Sequence, residues 1–212
     1  MKGVSFGNYH SYDDFDLILS QKKIEAPSPK TETIDIPGGD GVLDLTEFFG
    51  ETKYNNRQLE FEFTTDVPQE QFMDLFSEVQ DALHGQKMNI VLDDDPDWYY
   101  TGRITVSEWK AEKNMGKFTI SCDCDPYKLK GSETVFSKAV SGSDNIVLTN
   151  SRKRVVPTIT TNAQFSISFG TYSGTFNAGT FRIPELQLVE GNNTVTVEGT
   201  GNISFRYREG GL

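Results

Sequence analysis

Cysteine, histidine and tryptophan are the scarce residues of this chain, two of each among 212. Cys122 and Cys124 are two positions apart, too close for an ordinary structural bridge, so a disulfide framework is excluded. A zinc site would need two further ligands, and no third cysteine exists. Reduced, partly buried thiols are the expected state. His10 and His84 leave little room for histidine-based catalysis or a multi-histidine metal site. No apolar run approaches about 18 residues, so no segment reads as a membrane span. The opening Met1-Lys2-Gly3-Val4-Ser5-Phe6 has a lysine but no apolar h-region, and a signal peptide is not expected. Basic residues are also short, 20 against 31 acidic, for a net charge of −11. A chain this acidic is a poor general binder of nucleic acid or anionic membrane, because both rest on clustered Lys and Arg.

The signatures of chemistry are missing too. No G-x-S-x-G occurs, so nucleophilic serine catalysis lacks its elbow. Pro37-Gly38-Gly39-Asp40-Gly41 has neither the Walker lysine nor G-x-G-x-x-G spacing and reads as turn chemistry. With 31 carboxylates, pairs at glycosidase spacing are unavoidable, and no feature selects one. Asp93-Asp94-Asp95-Pro96-Asp97 supplies hard oxygen ligands. It lacks the spaced Asp/Asn positions, turn Gly and distal Glu of a calcium loop, so a solvated hairpin tip is expected. Arg152-Lys153-Arg154 is too short for strong phosphate binding. Asn192-Asn193-Thr194 and Asn202-Ile203-Ser204 match the glycosylation triplet but carry no weight without a secretory signal. No catalytic residue, cofactor site or metal site is expected, and the chain reads as a non-enzyme.

What is present is uneven. Residues 1–130 carry 13 basic and 25 acidic side chains; residues 131–212 carry 7 and 6. Both Trp, both Cys, both His and all four Met fall in the first part, while Thr, Ser, Asn and Gly crowd the second. This shift predicts two domains, 1–130 and 131–212. In the first, Phe72, Leu75, Phe76, Val79 and Leu83 recur at spacings of three and four after Pro68. Gly85 is placed to stop that helix. Gln58–Phe63, Met88–Leu92, Trp98–Trp109 and Lys117–Cys124 read as strands, the middle two joined through the acidic Asp93–Asp97 tip. The expected fold is mainly β with one helix: an N-terminal α+β domain of antiparallel sheet plus helix. Leu17–Phe49 holds few core signals and much Pro and Gly, and reads as an extended arm that wraps the domain or reaches a neighbouring subunit.

The second part shows short strand signals at 146–148, 155–160, 165–169, 175–176, 180–183, 194–197 and 203–207, punctuated by Asn, Gly and Ser. Such spacing predicts a β-sandwich. Its aromatic residues Phe165, Phe169, Tyr172, Phe176, Phe181, Phe205 and Tyr207 fall mostly on core parities, though an exposed sugar platform is the competing use.

Several stretches, weak singly, are specific in their order and spacing. They are Val4–Ser11 with Asp14–Leu17, Ile24–Lys30, Ile36–Thr46, Tyr54–Phe61 and the hairpin ending Tyr100-Thr101-Gly102-Arg103. Over residues 1–130 the chain thereby resembles the distal tail protein (Dit) of long-tailed, non-contractile bacteriophages and related prophages.

The resemblance implies a structural virion protein at the tail tip, assembled in the bacterial host cytoplasm. It implies a homohexameric ring, or stacked rings, built by the N-terminal domain and its arm, with a galectin-like β-sandwich outside. Its implied partners are the major tail-tube protein, the tail-associated tip protein and a receptor-binding protein, with no membrane and no cofactor. The C-terminal part is too short for the long arm with which some relatives hold receptor-binding proteins. DNA would cross the lumen without stable binding, since a wall of carboxylates repels phosphates. Asp93, Asp94, Asp95 and Asp97 are the candidates for that wall or for a plain loop tip. The alternative function is carbohydrate binding, with the C-terminal sandwich touching the host cell wall.

Overall fold

The computed structural model describes residues 3–48, 50–112 and 115–212. Met1 and Lys2 of the opening segment, Phe49 at the end of the arm, and Lys113 and Asn114 lie outside the described residues. The chain forms two compact units, Met1–Pro126 and Tyr127–Leu212.

In the first unit the strands are β1 (Val4–Phe6), β2 (Tyr9–His10), β3 (Ile18–Ile24), β4 (Thr33–Asp35), β5 (Val42–Asp44) and β6 (Arg57–Thr65). After helix α1 (Phe72–Leu83) come β7 (Lys87–Leu92), β8 (Asp95–Glu112) and β9 (Met115–Cys124). The main sheet runs β2-β1-β7-β8-β9-β6-β3, and these neighbours pair antiparallel. Its core follows from strict alternation on β6. Leu59, Phe61 and Phe63 point inward, opposite Cys122, Ile120 and Phe118 of β9. Phe6 meets Phe61 and Phe63 edge-on, at 5.9 and 6.3 Å between ring centres. Each such fully buried ring contributes roughly 1.5–3 kcal/mol of apolar transfer.

The helix lies where the 3.6-residue period places it. Phe72, Leu75, Val79 and Leu83 are buried, and α1 packs against β8. Pro68 introduces a 3-10 turn, Gln69–Gln71, so the α-helix itself begins one turn later. Gly85 ends it in the left-handed region, with φ at 76°. The strand read as Trp98–Trp109 extends from Asp95 to Glu112. Its parity changes on the way. Tyr100, Ile104 and Val106 face inward, and a bulge between Val106 and Glu108 shifts the register by one. Trp109 is thereby brought opposite Phe118 and packs against Phe72, Phe76 and Phe118 at 5.2, 6.1 and 4.6 Å.

The second unit is built of strands, beginning with β10 (Lys128–Lys130), β11 (Thr134–Asn150), β12 (Thr158–Thr161) and β13 (Phe165–Phe169). They are followed by β14 (Tyr172–Phe176), β15 (Gly179–Arg182), β16 (Gly191–Tyr207) and β17 (Gly210–Gly211). The expected series of short strands is corrected here. The 194–197 and 203–207 signals belong to one 17-residue strand, β16, and the 146–148 signal is the end of an equally long β11. These two pair along their whole length. The half of β16 near Val197 carries β13 and β14; the half near Phe205 carries β12 and β15. Inward residues from both halves, Val195, Val197, Ile203 and Phe205, share one core. The Gly-Thr-Gly-Asn run at 199–202 is a kink in this ribbon rather than a turn. Gly142, with φ at 90°, stands opposite Gly199, where a Cβ would come within 2.7 Å of the Gln164 carbonyl. Beside this ribbon, the Glu209 carboxylate accepts bonds from Lys130 Nζ, Thr134 Oγ1 and Ser151 Oγ. Burial works against its charge, but these donors outweigh that and hold it below the ordinary carboxylate range.

Candidate functional site

The feature of the first unit that no core explains is the segment between β3 and β6. It leaves and returns as a two-chain ribbon. The Glu25 N–H donates to Gln58 O at 3.0 Å, Asn55 N–H to Ser28 O at 2.9 Å, Lys30 N–H to Lys53 O at 2.8 Å and Leu45 N–H to Glu32 O at 2.8 Å. At its far end β4 and β5 pair as a two-stranded sheet, with no third strand among the described residues. Every residue from 28 to 44 is exposed. Ile34 pairs with Leu43, so both lie on one face; Thr33, Asp35, Val42 and Asp44 share the other. Ile34, Ile36, Val42 and Leu43 each keep about half their surface in water. A lone two-stranded hairpin is marginal in water, because it buries too little to offset chain entropy. This hairpin leaves its large apolar side chains half in water. It is also of one charge: residues 31–51 contain six carboxylates and no Lys, Arg or His. At Asp44, bonds from the Thr46 hydroxyl and backbone hold the carboxyl below its ordinary range.

Arg57 fastens the root of this arm. Its side chain is buried, with the guanidinium 5.2 Å from the centre of the Tyr100 ring. Nε–H donates to Glu25 O at 2.9 Å, and Nη1 reaches Pro126 O at 3.4 Å. One side chain therefore ties the start of the arm, its return and the end of the first unit. Sequence reasoning passed over Arg57. An isolated arginine at a strand start carries no signal until the chain brings two carbonyls to it.

The four carboxylates singled out from the sequence lie at the β7–β8 turn. Asp93 Oδ2 accepts the Gly3 N–H at 2.6 Å and stands 3.3 Å from His10 Nε2. Asp94 pairs with Lys22 of β3. These two groups therefore also tie the turn to the opening segment and to β3. Asp95 opens β8 opposite Leu92, and Asp97 is exposed. On the other side of His10, Nδ1 is 3.0 Å from Asp13 Oδ2. Among the described residues, no three His, Cys, Asp or Glu side chains are arranged to hold a metal ion. Among them, too, no helix is long and apolar enough to cross a membrane.

Cys122 and Cys124 are fully buried on the inner face of β9. Burial, with Cys124 beside it, pushes the Cys122 thiol far up. Burial and the carboxylates of Asp123 and Asp125 push Cys124 up to about 12. Since only the thiolate is a good nucleophile, neither thiol is expected to react with iodoacetamide at pH 8 in the folded chain. Both should alkylate in denaturant, a contrast that mass spectrometry reads directly. Labelling of the native protein at the rate of a free thiol would contradict the burial.

In the second unit the aromatic residues weighed for a sugar platform are in the core. Phe165, Phe205 and Tyr207 are buried there, and Phe169, Tyr172, Phe176 and Phe181 pack against them. Phe176 and Phe181 stack on each other at 4.5 Å, and the Tyr207 hydroxyl donates to Thr149 O at 2.6 Å. In the first glycosylation triplet the acceptor position, Asn192, is exposed, and Asn193 beside it is buried.

No family model matches the chain, and no curated protein matches it. Among solved structures it is similar to the crystal structure of the SPP1 Dit (gp 19.1) protein, described as a paradigm of hub adsorption apparatus in Gram-positive infecting phages. The two share 16% identity over 98% of this chain and 99% of that one, with a TM-score of 0.73. The chain therefore has, from end to end, the fold of a distal tail protein, the family its first 130 residues resemble in sequence.

Proposed function

We propose that this protein is a structural, non-catalytic component of a phage tail tip. Copies of it join into a hexameric ring, or stacked rings, that links the tail tube to the tail-associated and host-recognition proteins and lets DNA pass. The observation that carries the reading is the arm: exposed for seventeen consecutive residues, with apolar side chains half exposed at its tip, and without a third strand among the described residues. In a head-to-tail ring each arm is covered by the next subunit, which removes exposed apolar surface and open strand edges together. The fold shared with a hub adsorption protein supports the same reading. The surplus of carboxylates in the first 130 residues suits a lumen that repels phosphates, with Asp93, Asp94, Asp95 and Asp97 as the candidates to face it or to form a plain loop tip.

Light scattering tests it. A hexamer of 23.8 kDa chains has a mass of about 143 kDa, and stacked rings about twice that. Replacing residues 31–48 by a short Gly-Ser link is expected to leave a folded monomer. A wild-type chain that stays monomeric even beside its neighbouring tail components would defeat the proposal.

A further inference from the structure

One sheet face of the second unit is basic in a chain whose net charge is −11. Residues 134–140 of β11, 200–207 of β16, β12 and β15 lie side by side, and none of these stretches contains Asp or Glu. Residues directly opposite one another in antiparallel strands share a face. Val135, Arg206, Thr158 and Arg182 are opposed in turn and form one row across the four strands. Ile159 and Phe205, the next residues along, turn into the core, so the arginine row faces outward. Both arginines are exposed. The following outward row, about 7 Å along the strands, is Ser137, Ser204, Thr160 and Thr180, four hydroxyls.

Thr158 stands between the two arginines, one strand from each. Arg182 Nη2 donates to Val156 O at 2.7 Å, which draws its guanidinium toward β12 without neutralising it. Arg206 Nε is 3.9 Å from Glu133 Oε2, and Arg208 faces the same carboxylate at 3.8 Å, so one acid stands against two guanidinium groups. With Arg182 added, the row keeps a surplus of positive charge. A planar carboxylate is satisfied by a single guanidinium fork. Forks from two sides and a hydroxyl between them suit a tetrahedral phosphate instead. The adjacent row of hydroxyls suits the polyol that such a phosphate joins, since the aromatic rings of this unit pack in its core and offer no stacking platform. We propose that the Arg206–Thr158–Arg182 row binds the phosphodiester groups of a polyol phosphate polymer. Each site holds one phosphate weakly, and a polymer gains from its repeats. The site goes beyond the ring reading, and it needs no second copy of the chain.

Native electrophoresis of the full chain through gels containing poly(glycerol phosphate) tests the site, with polygalacturonate and dextran gels as the carboxylate and neutral comparisons. Retardation is expected in the phosphate gel and is expected to fall as salt is added. Arg182→Gln with Arg206→Gln should weaken it about tenfold, and Thr158→Val, which keeps every charge, about threefold. Lys23→Gln with Lys53→Gln removes two charges elsewhere and should bind like the wild type. No retardation of the wild type overturns the site, as does equal retardation by polygalacturonate or dextran, or an equal loss in the lysine variant. If the arginine variant fails to fold by circular dichroism, Thr158→Val and the salt dependence decide, and binding unmoved by both overturns the site. Light scattering on the same samples keeps the two readings apart: lost binding with rings intact supports the site alone, and binding by a monomeric wild type would leave the site standing while the ring reading fails.

Discussion

Replacing Arg57 by methionine is expected to destabilise the first unit by about 3 kcal/mol. Methionine keeps much of the length and packing against Tyr100 but removes every donor. The carbonyls of Glu25 and Pro126 then lose bonds of 2.9 and 3.4 Å from a charged group, in a setting where Arg57 is only 6% exposed. Each buried acceptor left without a partner costs about 1–3 kcal/mol, and lost cation–π attraction adds about 1 kcal/mol. Arg57→Lys should recover little, because an ammonium cannot present the guanidinium fork to two carbonyls at once. Urea unfolding followed by tryptophan fluorescence reads the loss, since both tryptophans belong to this unit. Hydrogen exchange at the Glu25 amide, bonded to Gln58 O, separates loosening of the arm root from global unfolding. A methionine variant as stable as the wild type would show that the guanidinium is not what fastens the root.

An effect of about 3–5 kcal/mol is expected in the second unit from Asn193→Leu. The change nearly conserves volume and discards all polarity. Asn193 Oδ1 accepts the Val189 N–H at 2.9 Å. Its amide shares two hydrogens among the carbonyls of Val189, Gly191 and Leu148, at 2.8, 3.1 and 3.3 Å. The side chain thus pins the start of β16 to the end of β11 and to the loop before it. Leucine would leave one buried N–H and three carbonyls to find other partners or go without. Asn193→Asp is expected to be at least as costly, because it sets a carboxylate against three carbonyl oxygens with no donor to give. Thermal unfolding monitored by circular dichroism measures both. Survival of the leucine variant within about 1 kcal/mol would mean that this loop adjusts freely.

These two residues mark where reading the sequence stops. Asn193 stands in a glycosylation triplet, and Arg57 stands alone at the head of an alternating strand; neither context hints at burial. Arg57 reaches carbonyls 32 and 69 residues away, and Asn193 adds to its local partners Val189 and Gly191 a carbonyl 45 residues away. Periodicity within a window of ten residues does not contain that information. Where the information is local, the reading was secure. The alternation of Leu59, Phe61 and Phe63 fixes a core face, and the spacing of Phe72, Leu75, Val79 and Leu83 fixes a helical stripe.

The same contrast explains the errors in the second unit. Gly and Asn at 199–202 signal a turn because they tolerate backbone conformations that other residues resist. Whether such residues reverse the chain or merely bend a paired strand depends on what lies beside them. Here β11 remains paired through the bend, so the strand continues. The bulge before Trp109 has the same origin. A one-residue slip changes which face a side chain occupies, and only the pocket among Phe72, Phe76 and Phe118 selects it.

Composition and local pattern, on their own, determined the class of molecule: acidic, mainly antiparallel β with one amphipathic helix, and without a recognisable catalytic constellation. They also marked the 17–49 stretch as lacking a core of its own. That much is local because strand and helix periods, turn chemistry and net charge are properties of neighbouring residues. Only the folded chain decided that the arm is a paired hairpin rooted on Arg57, and that two acidic-turn carboxylates close the unit onto its opening segment and β3. Each of these depends on contacts between residues far apart in sequence, and their energies are set by burial and by partners that no short window can supply.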